Sequence, residues 1–287
     1  KPHSFISSKQ EIKMILFLFY LYIFPLYSQI ISPLSREFAK EFSKNYPGGP
    51  IALKESLQQR RKWTALELFD KTKVFSEGIH DVFNSLGPVI QCPSKLLNIY
   101  GHGDEEKRIC GLMTDPCIVI SLGSNNVWNF EEDFVKKHPE CKVHTFDCFV
   151  PGVVPEKIRK SVTVHPICIG PKDEVIDGKQ FLTWASLLKS IDVNSSPTAL
   201  KMDIEGFEWT VIREMITLAP HTLLPLSISL ELHLHSIEKP ITWLGRYRTS
   251  AEVALFMEYL MKFGYVLVDR HDNPYCQHCS EIVVARV

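Results

Sequence analysis

The run Ala199-Leu-Lys-Met-Asp-Ile-Glu-Gly206 reads as a buried strand that carries charge, and charge in such a place asks for a chemical reason. Central parallel strands are covered on both faces and are usually near-continuous apolar runs. Period-two alternation sets Lys201, Asp203 and Glu205 on one face, and Gly206 ends the strand. The following strand-like run, PLSISLELHLH, alternates Glu231, His233 and His235 against Leu230, Leu232 and Leu234. Two chemistries fit this set. His233 or His235 could take a proton from a hydroxyl nucleophile, oriented by Glu231 or Glu205. Alternatively, two carboxylates and a histidine could hold a divalent ion that lowers a hydroxyl pKa. Hydrogen-bonded polar residues at a sheet edge are the plain structural reading.

A second group of residues suits a nucleoside. Cys117-Ile-Val-Ile-Ser-Leu-Gly-Ser-Asn-Asn126 is an apolar strand running into a small-residue turn before a helical stretch. Gly123 permits a tight turn, so that the main chain at Gly123, Ser124 and Asn125 can approach a ligand closely. A full G-x-G-x-x-G is missing, which argues against a dinucleotide pyrophosphate. Asp147 ends the next strand, 24 residues after Gly123, where an acidic group can accept both ribose hydroxyls. In a doubly wound sheet the ligand crevice lies outside the carboxyl ends of the strands, so these two groups and the charged strand ends belong to one constellation.

The elements that must position these residues follow from alternating β-branched and helical stretches. Strands are expected near Cys117–Leu122, Lys142–Phe146, Val162–Ile167, Ala199–Ile204, Leu226–His233, Tyr265–Asp269 and Ile282–Val287. The pattern is that of an α/β fold with a mainly parallel sheet and helices on both faces. The last two strands are joined by a connection around Asn273-Pro274 that is too short for a helical crossover, so they must pair antiparallel. A parallel Rossmann-like sheet closed by an antiparallel hairpin points to a methyl-donor nucleoside rather than a nicotinamide.

The chain has 287 residues, 45% hydrophobic and 23% charged, an ordinary globular composition. Lys and Arg number 32 against 33 Asp and Glu, so no basic field invites nucleic acid. Residues 12–31, IKMILFLFYLYIFPLYSQII, are apolar with six aromatics and read as a signal peptide or membrane anchor, giving membrane contact if uncleaved. Residues 1–31 are taken as that segment, 32–88 as a stalk with leading helices including RRKWTALELFDKTKVF, and 89–287 as the chemical domain. Eight cysteines fit an oxidising compartment. Cys117 and Cys141 precede adjacent strands, and Cys148 and Cys168 follow adjacent strands, so each pair is expected to bridge. Cys92–Cys110 and Cys276–Cys279 are the remaining pairs. A single C-x-x-C with no second pair does not make a zinc site, and no metal site is assigned. Asn194-Ser195-Ser196 is the one N-x-S/T triplet.

Taken together, CIVISLGSNNVWNFEEDFVKKHPECKVHTFDCF, HPICIG, ALKMDIEGFEW, ISLELHLH and NPYCQHCSEIV resemble the methyltransferase-like domain family related to FkbM-type methyltransferases. The resemblance covers about Val89 to Val287. It implies a class I methyltransferase fold, S-adenosylmethionine as cofactor, and O-methylation of a hydroxylated, sugar-like or small-molecule acceptor. It places Gly123, Ser124 and Asn125 at the methionine end, Asp147 at the ribose, and Asp203 with Glu205 beside the reacting centre. Where such proteins carry a Gly-rich G-D-G-G turn, this chain has Gly101-His-Gly-Asp-Glu-Glu-Lys107, with extra charge near the cofactor. The expectation is an enzyme of the secretory pathway, anchored or secreted. The competing one is a catalytically silent lumenal binding module on the same fold.

Overall fold

The structure, a computed structural model, describes residues 33–59, 83, 90–234, 248, 250–274, 276 and 278–287. Along the chain these form α1 (Pro33–Asn45), β1 (Leu97–Tyr100), β2 (Lys107–Cys110), β3 (Ile118–Leu122), α2 (Asn129–Lys137), β4 (Lys142–Phe146) and β5 (Val162–His165). There follow β6 (Cys168–Ile169), β7 (Glu174–Ile176), β8 (Lys179–Leu182), α3 (Trp184–Ser190), β9 (Ala199–Met202) and α4 (Glu208–Leu218). The domain closes with β10 (Ser227–His233), α5 (Ser250–Lys262), β11 (Tyr265–His271) and β12 (Cys279–Arg286). His235, the apolar run 12–31 and the stretch RRKWTALELFDKTKVF lie outside the described residues.

Seven strands form one sheet in the order β11-β12-β10-β9-β3-β4-β5. β3, β4, β5, β9 and β10 run parallel, as helical crossovers demand. β12 is antiparallel to both its neighbours and inserts between β10 and β11. All seven sequence-predicted strands are present, although the spacing alone did not reveal that the last strand would enter the sheet rather than extend its edge. Two small additions went unread: the hairpin β1–β2 and the three-stranded sheet β6-β8-β7.

Strand alternation divides the core into two layers. Ile120 and Leu122 of β3, Leu200 and Met202 of β9, and Ile228, Leu230 and Leu232 of β10 face α3, α4 and α5 through Leu187, Ile212, Met215 and Leu260. Val119, Val143 and Ala199 face the opposite way, against Phe130 and Phe134 of α2 and Tyr100 of β1. The segment read as a stalk contributes α1, whose Phe38 and Phe42 pack on Val266, Val283 and Ala285 of β11 and β12. At α3, the N-terminus is fixed by Thr183, whose hydroxyl accepts from the Ser186 N–H.

All four expected disulfides are formed: Cys92–Cys110, Cys117–Cys141, Cys148–Cys168 and Cys276–Cys279. Such a set fits an oxidising compartment. Among the described residues no helix is long and apolar enough to cross a membrane. Asn194 is exposed in the loop before β9.

The Cys117–Cys141 bridge ties the start of β3 to the start of β4 across 24 residues. Replacing both cysteines by alanine is expected to lower the unfolding free energy by roughly 2–4 kcal/mol. The measurement is a urea midpoint; an unchanged midpoint contradicts the expectation.

Candidate functional site

The parallel strands β3, β4, β9 and β10 all end at one edge of the sheet, and a cavity of about 690 Å³ opens there. That volume is typical of a site for a nucleoside-sized ligand. One wall is apolar and partly aromatic, with Phe146, Phe149, Ile167 and Phe181. The other carries carboxylates and an imidazole, from Asp203, Glu205, Glu231 and His233. A flat heteroaromatic group suits the first wall and a cation the second.

Gly123 sits at the floor between them. Its φ is +77°, and a Cβ there would lie 1.8 Å from the Asp203 carbonyl oxygen, so β3 and the segment after β9 approach closer than any side chain allows. Lys201 reinforces the crossing by donating its ammonium to the Gly123 carbonyl. Beyond Gly123 the main-chain N–H groups of Ser124 and Asn125 donate to Asp147 Oδ2 at 3.0 and 2.9 Å, joined by the Ser124 hydroxyl at 3.3 Å. Asp147 Oδ1 accepts from Phe149 N–H and Val150 N–H at 3.0 and 3.2 Å. Burial pushes the Asp147 pKa up, but these four main-chain donors more than offset it and hold the group below the usual carboxylate range. A carboxylate offers about four lone-pair positions, so Asp147 is already occupied in organising two loops. Ribose hydroxyls, expected from sequence to bind it, meet oxygens that are engaged.

On the polar wall, Asp203 and Glu205 do not continue the strand alternation. β9 ends at Met202, and Glu205 has a φ of +56° in the turn that leads to α4. Asp203 stays within the cluster, whereas the Glu205 side chain is 75% exposed at the mouth of the cavity. His233 is buried and held from both sides: Nδ1 lies 3.2 Å from Glu208 Oε1 and Nε2 3.5 Å from Glu205 Oε2. Glu208, in the first turn of α4, also accepts from the main-chain N–H groups of Ile204 and Gly206 at 3.0 and 3.2 Å. His233 is therefore oriented by Glu208 together with Glu205, whereas the sequence suggested Glu231 or Glu205. Burial lowers the His233 pKa, but the Glu208 hydrogen bond and charge, then Glu231 and Asp203, raise it to about 9.

The hairpin β1–β2 lies over β10 and β12 and inserts Lys107, which is fully buried. Its ammonium meets Glu281 of β12 in a short ion pair, Asp203 at 3.4 Å and Glu231 at 3.7 Å. Burial alone would depress its pKa; the three carboxylates reverse the sign and hold it above the ordinary lysine range. Burial, then the Asp203 charge, pushes Glu231 up to about 8, and burial pushes Glu281 up to about 7 against the pull of Lys107. For Asp203, burial is outweighed by Lys201, Lys107 and a hydrogen bond with Glu231, so it stays below the usual range. At neutral pH Asp203 is thus the ionised partner and Glu231 carries the proton.

Residues 71–285 match a protein family described as a methyltransferase domain. The chain belongs to that family. No curated protein matches this methyltransferase's sequence. Among solved structures it is similar to the Methanococcus jannaschii fibrillarin pre-rRNA processing protein, at 11% identity and a TM-score of 0.39, over 75% of this chain and 86% of that one. It is similar to a SAM dependent methyltransferase from Aquifex aeolicus at 13% identity and a TM-score of 0.35, over 61% and 85%. An O-methyltransferase of neocarzinostatin biosynthesis, solved with S-adenosylmethionine, gives 9% and 0.35, over 61% of this chain and half of that one. Likenesses at this level decide nothing about substrate.

Of the residues named from sequence, the cavity of the methyltransferase domain brings together Gly123, Ser124, Asn125, Asp147, Asp203, Glu205 and His233. Sequence reasoning missed Lys107, Glu208 and Glu281. Glu281 carried a readable signal, because it is a carboxylate directly before the apolar run Ile282–Ala285 of a strand. Lys107 closes the charged Gly101–Lys107 turn, whose Asp104 and Glu105 also line the cavity.

Two outcomes are expected. Lys107→Met leaves three carboxylates around an apolar stem and should cost roughly 3–5 kcal/mol at pH 7. The loss shrinks as Glu231 and Glu281 take up protons between about pH 8 and pH 6, so urea unfolding at pH 5 and pH 8 should diverge, with the larger deficit at pH 8. Gly123→Ala should abolish ligand binding at the cavity and lower the thermal midpoint by several degrees; a variant with wild-type stability contradicts the close crossing at Gly123.

Proposed function

We propose that this chain is an S-adenosylmethionine-dependent O-methyltransferase acting on a hydroxylated, sugar-like or small-molecule acceptor in the secretory pathway. The observation that carries this reading is the cavity at the carboxyl edge of the sheet, where an apolar wall faces an acid and histidine cluster. Family membership supplies the reaction class, and the FkbM-type resemblance supports oxygen as the atom methylated. Four disulfides support the compartment.

S-adenosylmethionine supplies, when bound, a methyl group on a sulfonium centre, together with a cationic ammonium and an adenosine. The chain's own residues fit each part. Phe149, Ile167 and Phe181 offer the adenine a stacking wall, and Asp203 offers the cationic end an ionised carboxylate. Ser124 and Asn125 are held in place by Asp147 and shape the floor of the cavity. An acceptor hydroxyl reaches the cavity past Glu205, at its exposed mouth, and meets His233 Nε2. Glu208 fixes the ring and stabilises the imidazolium that results when Nε2 takes the hydroxyl proton. Most of the rate then comes from holding the hydroxyl in line with the methyl group.

A proton acceptor must first be deprotonated, and His233 is protonated below about pH 9. Methyl transfer at subsaturating acceptor should therefore rise with pH along a limb near 9. Glu208→Gln removes the largest stabiliser of the charged ring and should move that limb to lower pH, whereas His233→Asn should abolish it and cut kcat by about 100-fold or more. A limb unmoved by Glu208→Gln would remove His233 from the proposed role.

One observation favours the second reading, a catalytically silent binding module: the carboxylate expected at the ribose is saturated by its own backbone. Isothermal titration of S-adenosylmethionine and its demethylated product into the oxidised protein separates the two. Micromolar binding lost in Asp203→Asn supports the enzyme; no binding by folded protein supports the silent module.

A further inference from the structure

The wall of the cavity contains a second chemical group that methyl transfer does not use. Cys276 and Cys279 flank His278 and are joined by a disulfide beside Glu231 and His233. Cys279 Sγ lies 2.6 Å from Glu231 Oε1, and that oxygen accepts from Asn273 Nδ2 at 3.0 Å. One donor atom from each of Glu231, His233, Cys276 and Cys279 falls within 4.8 Å of all the others. Two sulfurs, an imidazole nitrogen and a carboxylate oxygen in one cluster are the donor types of a four-coordinate zinc site. While the sulfurs are bonded to each other neither is a thiolate, and the set is two ligands short.

We propose that Cys276 and Cys279 form a redox-gated zinc site with Glu231 and His233. A dithiol reductant gives two electrons and two protons to the Cys276–Cys279 bond, which breaks to two thiols as the reductant closes to its own disulfide. Zinc then displaces four protons to solvent, one from each thiol, one from the Glu231 carboxyl and one from the His233 imidazolium, and is held by both thiolates, one His233 nitrogen and one Glu231 oxygen. The assembled site carries one net negative charge, and the buried ammonium of Lys107, 3.7 Å from Glu231 Oε2, stands ready to offset it.

Two features single out this bridge for reduction. It closes a sequence separation of 3 residues, against 18, 24 and 20 for the other three, so it restrains the unfolded chain least and its loss costs the fold least. Cys276 also lines the open cavity, which gives a reductant access, whereas both sulfurs of Cys92–Cys110 and of Cys117–Cys141 belong to buried residues; Cys148 and Cys168 line the cavity too, and against that bridge the shorter span is what discriminates. The consequence for catalysis rests on the function proposed above: zinc would capture His233 and Glu231 together, so the reduced, metal-loaded chain would be switched off.

The test needs neither methyl donor nor acceptor. The oxidised full chain is treated with limiting dithiothreitol, labelled with a thiol reagent for peptide mapping, and in parallel titrated with Co²⁺ as the spectroscopic probe. The expected result is labelling at Cys276 and Cys279 first, and a thiolate-to-cobalt charge-transfer band in the reduced chain that Zn²⁺ abolishes. The oxidised chain and the Cys276→Ser/Cys279→Ser variant should lack the band and bind zinc at least about 100-fold more weakly. Asp203→Asn should retain the band. First labelling at another pair overturns the proposal. So does cobalt binding without a thiolate band, which would place the ion on Asp203, Glu205 and His233 instead. The comparison of oxidised with reduced wild-type chain stands even if the serine variant fails to fold.

Discussion

Glu231 and Glu281 lie directly opposite each other across the antiparallel pair β10 and β12, and two carboxylates in that position repel. The arrangement survives because the hairpin β1–β2 drives a lysine ammonium between them. Lys107 also reaches Asp203, so one buried cation joins β10, β12 and the segment after β9 to a hairpin that precedes them in sequence. Replacing the whole group by apolar residues would be the cheaper way to build a core. That two of the group, Asp203 and Glu231, line the cavity is the reason to read the cluster as chemistry rather than packing.

The cluster sets its own proton inventory. Asp203 is ionised, Glu231 protonated and His233 protonated near neutral pH: Lys201 and Lys107 hold the first down against burial, burial and then Asp203 push the second up, and Glu208 raises the third against burial. The three titrate as one system, and a proton lost by His233 changes what Glu231 and Asp203 can hold. Glu208 matters out of proportion to its exposure, because one buried carboxylate both caps the turn after β9 and fixes the imidazole.

Much of this was legible in the sequence, and for definite reasons. Strand runs such as CIVISL and KVHTF announce themselves by β-branched residues between turns, and the short Asn273-Pro274 connection forces antiparallel pairing. The cysteine pairs followed from strand adjacency. The polar stripe Lys201, Asp203, Glu231 and His233 stood out because it interrupts apolar strands. Other features depended on contacts that no local pattern encodes. Lys107 is one charged residue among several in its turn, and only the folding of the hairpin onto β10 and β12 distinguishes it. Asp147 fills the position of a ribose acceptor, yet its partners are backbone groups whose directions emerge only once Gly123 has turned the chain. Glu205 left the predicted alternation because the turn into α4 begins at Asp203.

The sheet order has a consequence for how the molecule is made. β12 is the last strand of this sheet to leave the ribosome, yet it occupies an interior place, between β10 and β11. Until it arrives, β11 has no partner in the sheet, Lys107 lacks Glu281, and the wall bearing Cys279 does not exist. The nascent domain therefore waits with an open hydrogen-bonding edge on β10 until synthesis of the domain is nearly done, a state exposed to mispairing and to premature oxidation of its cysteines. Completion of the sheet and assembly of the acid and histidine wall are a single event, set by the arrival of β12.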